Sequence, residues 1–246
     1  MTLDKIYNMD CLEGMKSIKD KSIDLIITDP PYLHTKGHAY NKKTGKVYDD
    51  SKSALGGTSL SATNFIMSEM SRFGEEQIDS ILKEFVRVEK IPNMYIFCNE
   101  TQVPFYTMWA TNHGLMFTIL VWEKPLSIIN RNRFSQNIEF IIRIYDYGTA
   151  LNRLPELTNV YNRVQKASPC YDKIHPTQKP LEIVRGFIML SSKPNDVILD
   201  AFMGSGTTAV ACVKENRHFI GFEMNPEYYR KANCRITAER SQQTLF

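Results

Sequence analysis

The sequence predicts an α/β fold, a mostly parallel sheet covered by helices on both faces. Three observations predict it. Short apolar runs alternate with helical patterns along most of the 246 residues. Two runs, Ile23-Asp24-Leu25-Ile26-Ile27-Thr28 and Val197-Ile198-Leu199-Asp200, read as buried strands. Each of these ends in a sharp local signal, Asp29-Pro30-Pro31-Tyr32 and Gly204-Ser205-Gly206, at the carboxyl edge where open α/β sheets place their ligands.

Strands are expected near 4–7, 23–28, 93–98, 115–122, 138–144, 197–200 and 218–223. Helices are expected near 11–18, 75–89, 102–113, 180–191, 206–216 and 226–241. The strand at 23–28 stops because two consecutive prolines continue neither strand nor helix. The helix at 75–89 carries a core-facing stripe of Ile78, Ile81, Leu82, Phe85 and Val88. No helical pattern separates the strands at 115–122 and 138–144, so these are expected as antiparallel neighbours. The strand at 197–200 turns through glycines into the helix at 206–216, and the strand at 218–223 follows.

Two stretches break the rhythm. Residues 33–74 are rich in Gly, Ser, Thr, Lys and Asn, and residues 124–174 are irregular around the strand at 138–144. Both are locally basic, with five basic against two acidic residues over 33–53 and seven against four over 121–170. A solvated loop accounts for either one alone.

Composition narrows the class. A hydrophobic content of 43% supports a sizeable core, and a net charge of +3 is compatible with a polyanionic partner without requiring one. The five cysteines are scattered, with no Cys-x-x-Cys pair, so no metal site is expected and a reducing cytoplasm is. No apolar run approaches the roughly 18 residues that span a bilayer, and no membrane association is expected.

The proline corner offers the Asp29 carboxylate, proline carbonyls and the Tyr32 ring. That set suits the exocyclic amino group of a flat heterocycle: two acceptors for its two hydrogens and an aromatic face for stacking. In the second motif, Gly204 and Gly206 let a ligand approach the backbone, and Thr207 and Thr208 supply hydroxyls at a helix start. Nineteen residues after Gly204 stands Glu223, placed to take both hydroxyls of a ribose. The loop also reads Gly-x-Gly-x-x-Ala through Ala209, a formal dinucleotide fingerprint. Asp200 immediately before it would repel a pyrophosphate and attract a cationic ammonium or sulfonium, which favours an amino-acid-bearing nucleoside.

With these residues in place the chain resembles the amino-directed DNA methyltransferases that use S-adenosylmethionine. Asp-Pro-Pro-Tyr preceding Asp200-Ala-Phe202-Met-Gly204-Ser205-Gly206-Thr207-Thr208 matches the β-class order. The stretches Asn8-Met9-Asp10-Cys11, Trp122-Glu123-Lys124-Pro125 and His175-Pro176-Thr177-Gln178-Lys179-Pro180 extend the likeness over nearly the whole chain. The resemblance implies a Rossmann-like, seven-stranded sheet in circularly permuted order. The catalytic domain would comprise 1–123 and 175–246, with a target-recognition region at 124–174.

By the same resemblance, the methionine end of the cofactor would lie against Asp200, Phe202, Gly204, Ser205, Gly206, Thr207 and Thr208, and Asp29 would also border the cofactor. Glu223 would take the ribose, and Asp10, Cys11 and Met224 would meet the adenine. Pro176, Thr177 and Lys179 would close the pocket. Asp29 and the Pro30 carbonyl would accept the two amine hydrogens and free the nitrogen lone pair for in-line displacement. The target base would leave the duplex and stack on Tyr32, with Pro31 completing the corner. Cys170, in Ser168-Pro169-Cys170, is read as a loop cysteine rather than a nucleophile.

Lys42, Lys43, Lys124, Arg131, Arg133, Arg153, Arg163 and Lys166 are the candidates for holding double-stranded DNA. Asp29, where Ser can also stand, tilts the expected target toward adenine N6 over cytosine N4. A silent DNA-binding relative and a nicotinamide-dependent oxidoreductase are the other readings. The expected setting is a prokaryotic or phage-encoded cytoplasmic enzyme. A homodimer and a companion restriction endonuclease on a separate chain are compatible with it.

Overall fold

The computed structural model describes residues 1–32, 39–40, 47–48, 74–125, 137–155, 158–168 and 178–243. Lys5–Tyr7 (β1) leads into Cys11–Met15 (α1), and Leu25–Thr28 (β2) ends at the prolines. Ala39–Tyr40 (β3) and Val47–Tyr48 (β4) form a small antiparallel pair of their own. Glu75–Val88 (α2), Asn93–Cys98 (β5), Val103–Asn112 (α3), Met116–Glu123 (β6) and Ile138–Tyr145 (β7) follow. A 3-10 turn at Thr158–Tyr161 precedes Val164–Lys166 (β8). The chain then runs through Leu181–Ser191 (α4), Val197–Asp200 (β9), Thr207–Lys214 (α5), His218–Phe222 (β10) and Pro226–Gln243 (α6).

Among the described residues the main sheet has eight strands, in the order β1-β10-β9-β2-β5-β7-β6-β8. The strands β1, β10, β9, β2 and β5 run parallel. β7 is antiparallel to both β5 and β6, as the missing helix between 115–122 and 138–144 predicts. All seven expected strands are present. The eighth, β8, is short and polar and has no periodic signature of its own. It joins because β6 presents an open edge, and Trp122 Nε1 donates to Ala167 O at 2.9 Å to pin it there. The described part of 124–174 therefore contributes two strands to the main sheet, with β7 between β5 and β6 and β8 at the margin.

Helices α1, α2 and α3 cover one face of the sheet and α4, α5 and α6 the other, giving two apolar layers. The α2 stripe buries Ile78, Ile81, Leu82, Phe85 and Val88, each at most 5% exposed. Burial of such side chains contributes roughly 1.5–3 kcal/mol apiece. At its start, Gly74 N donates to Gln77 Oε1 at 2.8 Å, which satisfies one of the free amides of the first turn. The strands β2 and β5 are buried along their whole lengths. Because β1, β10, β9 and β2 are parallel neighbours, their carboxyl ends deliver Asp10, Glu223, Asp200 and Asp29 to one edge of the sheet. Among the described residues, no helix is long and apolar enough to cross a membrane, and Cys11, Cys98, Cys212 and Cys234 are free thiols.

Candidate active site

The proline corner leaves β2 with its geometry fixed from below. Gln102, wholly buried before α3, donates through Nε2 to the Pro31 carbonyl at 3.2 Å. Asp29 follows with its carboxylate divided between two roles. Oδ2 is 2.7 Å from Lys179 Nζ, while Oδ1 is buried and accepts no hydrogen bond among the described residues. An orphaned carboxylate oxygen is costly in a folded protein and marks a position waiting for a donor.

Lys179 is the hub of the corner. Its ammonium reaches Asp29 Oδ2 at 2.7 Å, Glu139 Oε1 at 2.6 Å and the Tyr32 hydroxyl at 2.9 Å. The Tyr32 hydroxyl donates in turn to Glu139. Lys124 Nζ lies 2.9 Å from Glu139 Oε2 and 4.9 Å from the centroid of the Trp122 ring. Among the described residues, two carboxylates and two ammonium groups thus form a largely buried cluster of paired charges. Burial raises the Asp29 carboxyl above its usual range, and Glu139 adds to the rise while Lys179 opposes it. Burial alone would raise Glu139 as well, but Lys179 and Lys124 pull it below its usual range.

The glycine loop is built by internal hydrogen bonds. Asp200 accepts from Thr28 Oγ1 at 2.9 Å, Thr208 Oγ1 at 2.6 Å and Phe202 N at 3.0 Å. Burial still pushes its carboxyl up to about 6, with those three donors working against the rise. Ser205 and Thr207 hydroxyls lie 3.1 Å apart, and Arg235 from α6 donates to Thr207 Oγ1 at 3.0 Å and Ser205 O at 3.1 Å. The side chains of Ser205, Thr207, Thr208 and Asp200 therefore shape the loop. Arg235 had no signal in the sequence beyond one basic residue on a polar helix.

Gly206 caps α5 at φ +78°, a conformation that L side chains adopt only with strain. A Cβ there would also stand 3.1 Å from Ala232 Cβ of α6. Gly206→Ala is expected to lower stability by about 1–3 kcal/mol, read from the urea midpoint, and to weaken cofactor binding with it.

Glu223 closes the other side of the loop. Its Oε2 accepts from Gly204 N at 2.8 Å and its Oε1 from Asn225 N at 2.7 Å. Asn8, from the β1 turn, donates to the carbonyls of Glu223 and Met224 at 2.7 and 3.0 Å. Asp10 caps α1 by accepting from Glu13 N at 3.0 Å, and Cys11 is buried beside it with its thiol pushed up to about 12 by burial. Met224 is 44% exposed. Phe202 and Pro30 line one narrow apolar cavity with Ile78, Leu82 and Tyr106, which joins the two motifs. Pro176 and Thr177 lie outside the described residues.

The DNA candidates among the described residues are dispersed. Lys42, Lys43, Arg131 and Arg133 lie outside the described residues, as does Cys170. Lys124 is turned inward onto Glu139 rather than outward. Lys166 stands on the margin strand, 3.5 Å from Glu123, with Arg163 just before it. Arg153 is at the opposite edge of the sheet, because its neighbour Asn152 is bonded to Leu190, Met189 and Ser192 at the far end of α4. Glu139 was missed in the sequence, although a lone carboxylate inside Ile138-Glu139-Phe140-Ile141-Ile142 is the kind of buried charge that asks for a partner. Among the described residues no cluster of His, Cys, Asp and Glu could hold a metal.

The chain has clear relatives. A family model described as DNA methylase, N6_N4_Mtase, matches residues 23–234. The Type II methyltransferase M1.MboII of Moraxella bovis is 24% identical over 275 residues, with 95% of this chain and 96% of that protein covered. M2.LlaDCHI of Lactococcus lactis subsp. cremoris is 27% identical, with 94% and 88% covered. Among solved structures, the complex of M1.HpyAVI with SAM superposes with a TM-score of 0.64 at 23% identity, covering 94% of this chain and 98% of that one. The cytosine-N4-specific PvuII DNA methyltransferase gives a TM-score of 0.70 at 19% identity, covering 97% and 91%. At these identities the structural likenesses speak for the fold.

Proposed function

This chain belongs to the DNA methylase family of amino-directed, S-adenosylmethionine-dependent enzymes, and from that premise we propose that it methylates N6 of adenine at a short specific site in duplex DNA. The observation that carries amino-directed transfer is the Asp29 carboxylate, with Oδ2 held by Lys179 and Oδ1 buried and, among the described residues, without a donor, while Asp rather than Ser at position 29 is what favours adenine. An exocyclic amine supplies the missing hydrogen.

The residues at the sheet edge fit the cofactor. Glu223 is fixed by the backbone amides of Gly204 and Asn225, which set its carboxylate at the loop where it would take the ribose hydroxyls. Asp200 puts negative charge beside the loop where a cationic methionine end would lie. Asp10, Cys11 and Met224 would flank the adenine, the glycine loop and Phe202 the methionine, and Pro176 and Thr177 would close over it. When bound, S-adenosylmethionine supplies an electrophilic methyl group on sulfur.

The chain's own residues do the rest. Asp29 Oδ1 and the Pro30 carbonyl accept the two hydrogens of the target amine and turn its lone pair out of conjugation. The amine proton released after transfer passes to Asp29 or to water. The Tyr32 ring stacks on the flipped base. Lys42, Lys43, Arg131, Arg133, Arg163 and Lys166 are proposed to hold the duplex from the 33–74 and 124–174 stretches. A second copy of the chain and a companion restriction endonuclease are the proposed protein partners.

The test is transfer of labelled methyl groups to unmethylated DNA, followed by nucleoside mass spectrometry. N6-methyladenine is the expected product. N4-methylcytosine would keep the chemistry of the corner and overturn the choice of base.

A further inference from the structure

Glu139 is 8% exposed in a strand that is otherwise apolar around it. A carboxylate in that setting is stable only when its oxygens are fully engaged. They are: Oε1 meets Lys179 Nζ at 2.6 Å and takes the Tyr32 hydroxyl, and Oε2 meets Lys124 Nζ at 2.9 Å. The three protons of Lys179 have three acceptors, Asp29 Oδ2, Glu139 Oε1 and the Tyr32 hydroxyl. The Tyr32 hydroxyl both donates to Glu139 and accepts from Lys179. These groups are thus engaged with one another, whereas among the described residues Asp29 Oδ1 has no hydrogen-bond partner.

We infer that Glu139 is a positioning residue for methyl transfer: through Lys179 and Tyr32 it keeps Asp29 Oδ1 open to the target amine and sets the Tyr32 ring for stacking. The inference rests on the reading of Asp29 as the amine acceptor. Without Glu139, the Lys179 ammonium loses the acceptor that draws it away from Asp29 Oδ1 and shifts along the Asp29 carboxylate toward that oxygen. The Tyr32 ring at the same time loses the hydroxyl anchor that fixes its plane. Glu139 does all this without touching the substrate.

The test compares pH–rate profiles of single-turnover methyl transfer for the unaltered protein, Glu139→Gln and Lys179→Met. The groups facing Asp29 are Lys179 before α4, Glu139 on β7, Tyr32 on the corner, Cys98 on β5 and Tyr106 on α3, with Lys124 behind Glu139. Asp29 must be ionised to accept both the cluster's charge and the amine hydrogen, so the rate is lost as pH falls through its raised titration. Removing the negative Glu139 moves that acidic limb to lower pH, and removing the positive Lys179 moves it to higher pH, each by about one unit. The plateau rate of Glu139→Gln falls roughly 10–100-fold, while its affinity for S-adenosylhomocysteine, measured by calorimetry, stays within two-fold.

A Glu139→Gln plateau within three-fold of the unaltered rate, or limbs that do not move, would overturn the inference. If Glu139→Gln does not fold, Tyr32→Phe cuts the same network at its edge. Its transfer rate is then expected to fall about ten-fold, and a rate within two-fold would equally overturn the inference. The profiles do not depend on which base is methylated, so a cytosine product would remove the adenine assignment and leave this test intact.

Discussion

Asp29→Asn is expected to slow methyl transfer by roughly 10²–10³-fold while leaving cofactor affinity within about three-fold. The substitution preserves shape and removes one acceptor. In the unaltered protein one oxygen faces Lys179 Nζ at 2.7 Å and the other is buried and open. An asparagine has a single oxygen for those two places. If it faces the lysine, the amide NH2 opposes the amine it should receive. If it faces the amine, the NH2 opposes an ammonium that remains tied to Glu139 at 2.6 Å. Either orientation leaves a buried donor–donor conflict, and the loss falls on the transfer step. Single-turnover assays with calorimetric cofactor binding separate the two quantities. A loss smaller than ten-fold would mean that the carboxylate is not the main acceptor.

Glu223→Ala is expected to act on the other quantity, raising the dissociation constant of S-adenosylmethionine by about 10²-fold or more. The two charge-assisted hydrogen bonds proposed between Glu223 and the ribose would disappear. The amides of Gly204 and Asn225, 2.8 and 2.7 Å from the carboxylate, also lose their acceptor at the loop that cradles the ligand. S-adenosylhomocysteine, which carries the same ribose, should weaken in parallel, and its calorimetric titration checks the origin of the effect. The transfer rate at saturating cofactor should change far less than in Asp29→Asn. A change in affinity under three-fold would remove Glu223 from the ribose site.

Much of this was legible in the chain itself. The seven expected strands and six helices are local consequences of periodicity, and the two prolines and two glycines punctuate them wherever the residues came from. The corner and the loop could be placed at one edge because parallel strands leave no other arrangement for their carboxyl ends. The eighth strand could not be read, because Val164-Gln165-Lys166 has no pattern until β6 offers it an edge.

The sequence by itself determined the components at the sheet edge: an acceptor-rich corner, a glycine loop and an acid at the end of the following strand, each a local feature of the chain. Only the tertiary structure decided how the charges pair. Lys179 reads as part of the segment that closes the cofactor pocket, and the fold sets its ammonium on Asp29, 150 positions earlier. Lys124 reads as a surface contact for DNA and is turned inward to Glu139. Arg153 reads as a neighbour of the other loop arginines and is carried to the far edge of the sheet by the bonds of Asn152. Glu139 had no reading at all. Backbone conformation follows from near neighbours and survives in local pattern. The partner of a buried charge is whichever opposite charge the folded strands bring within a few ångströms, and sequence separation carries no record of that distance.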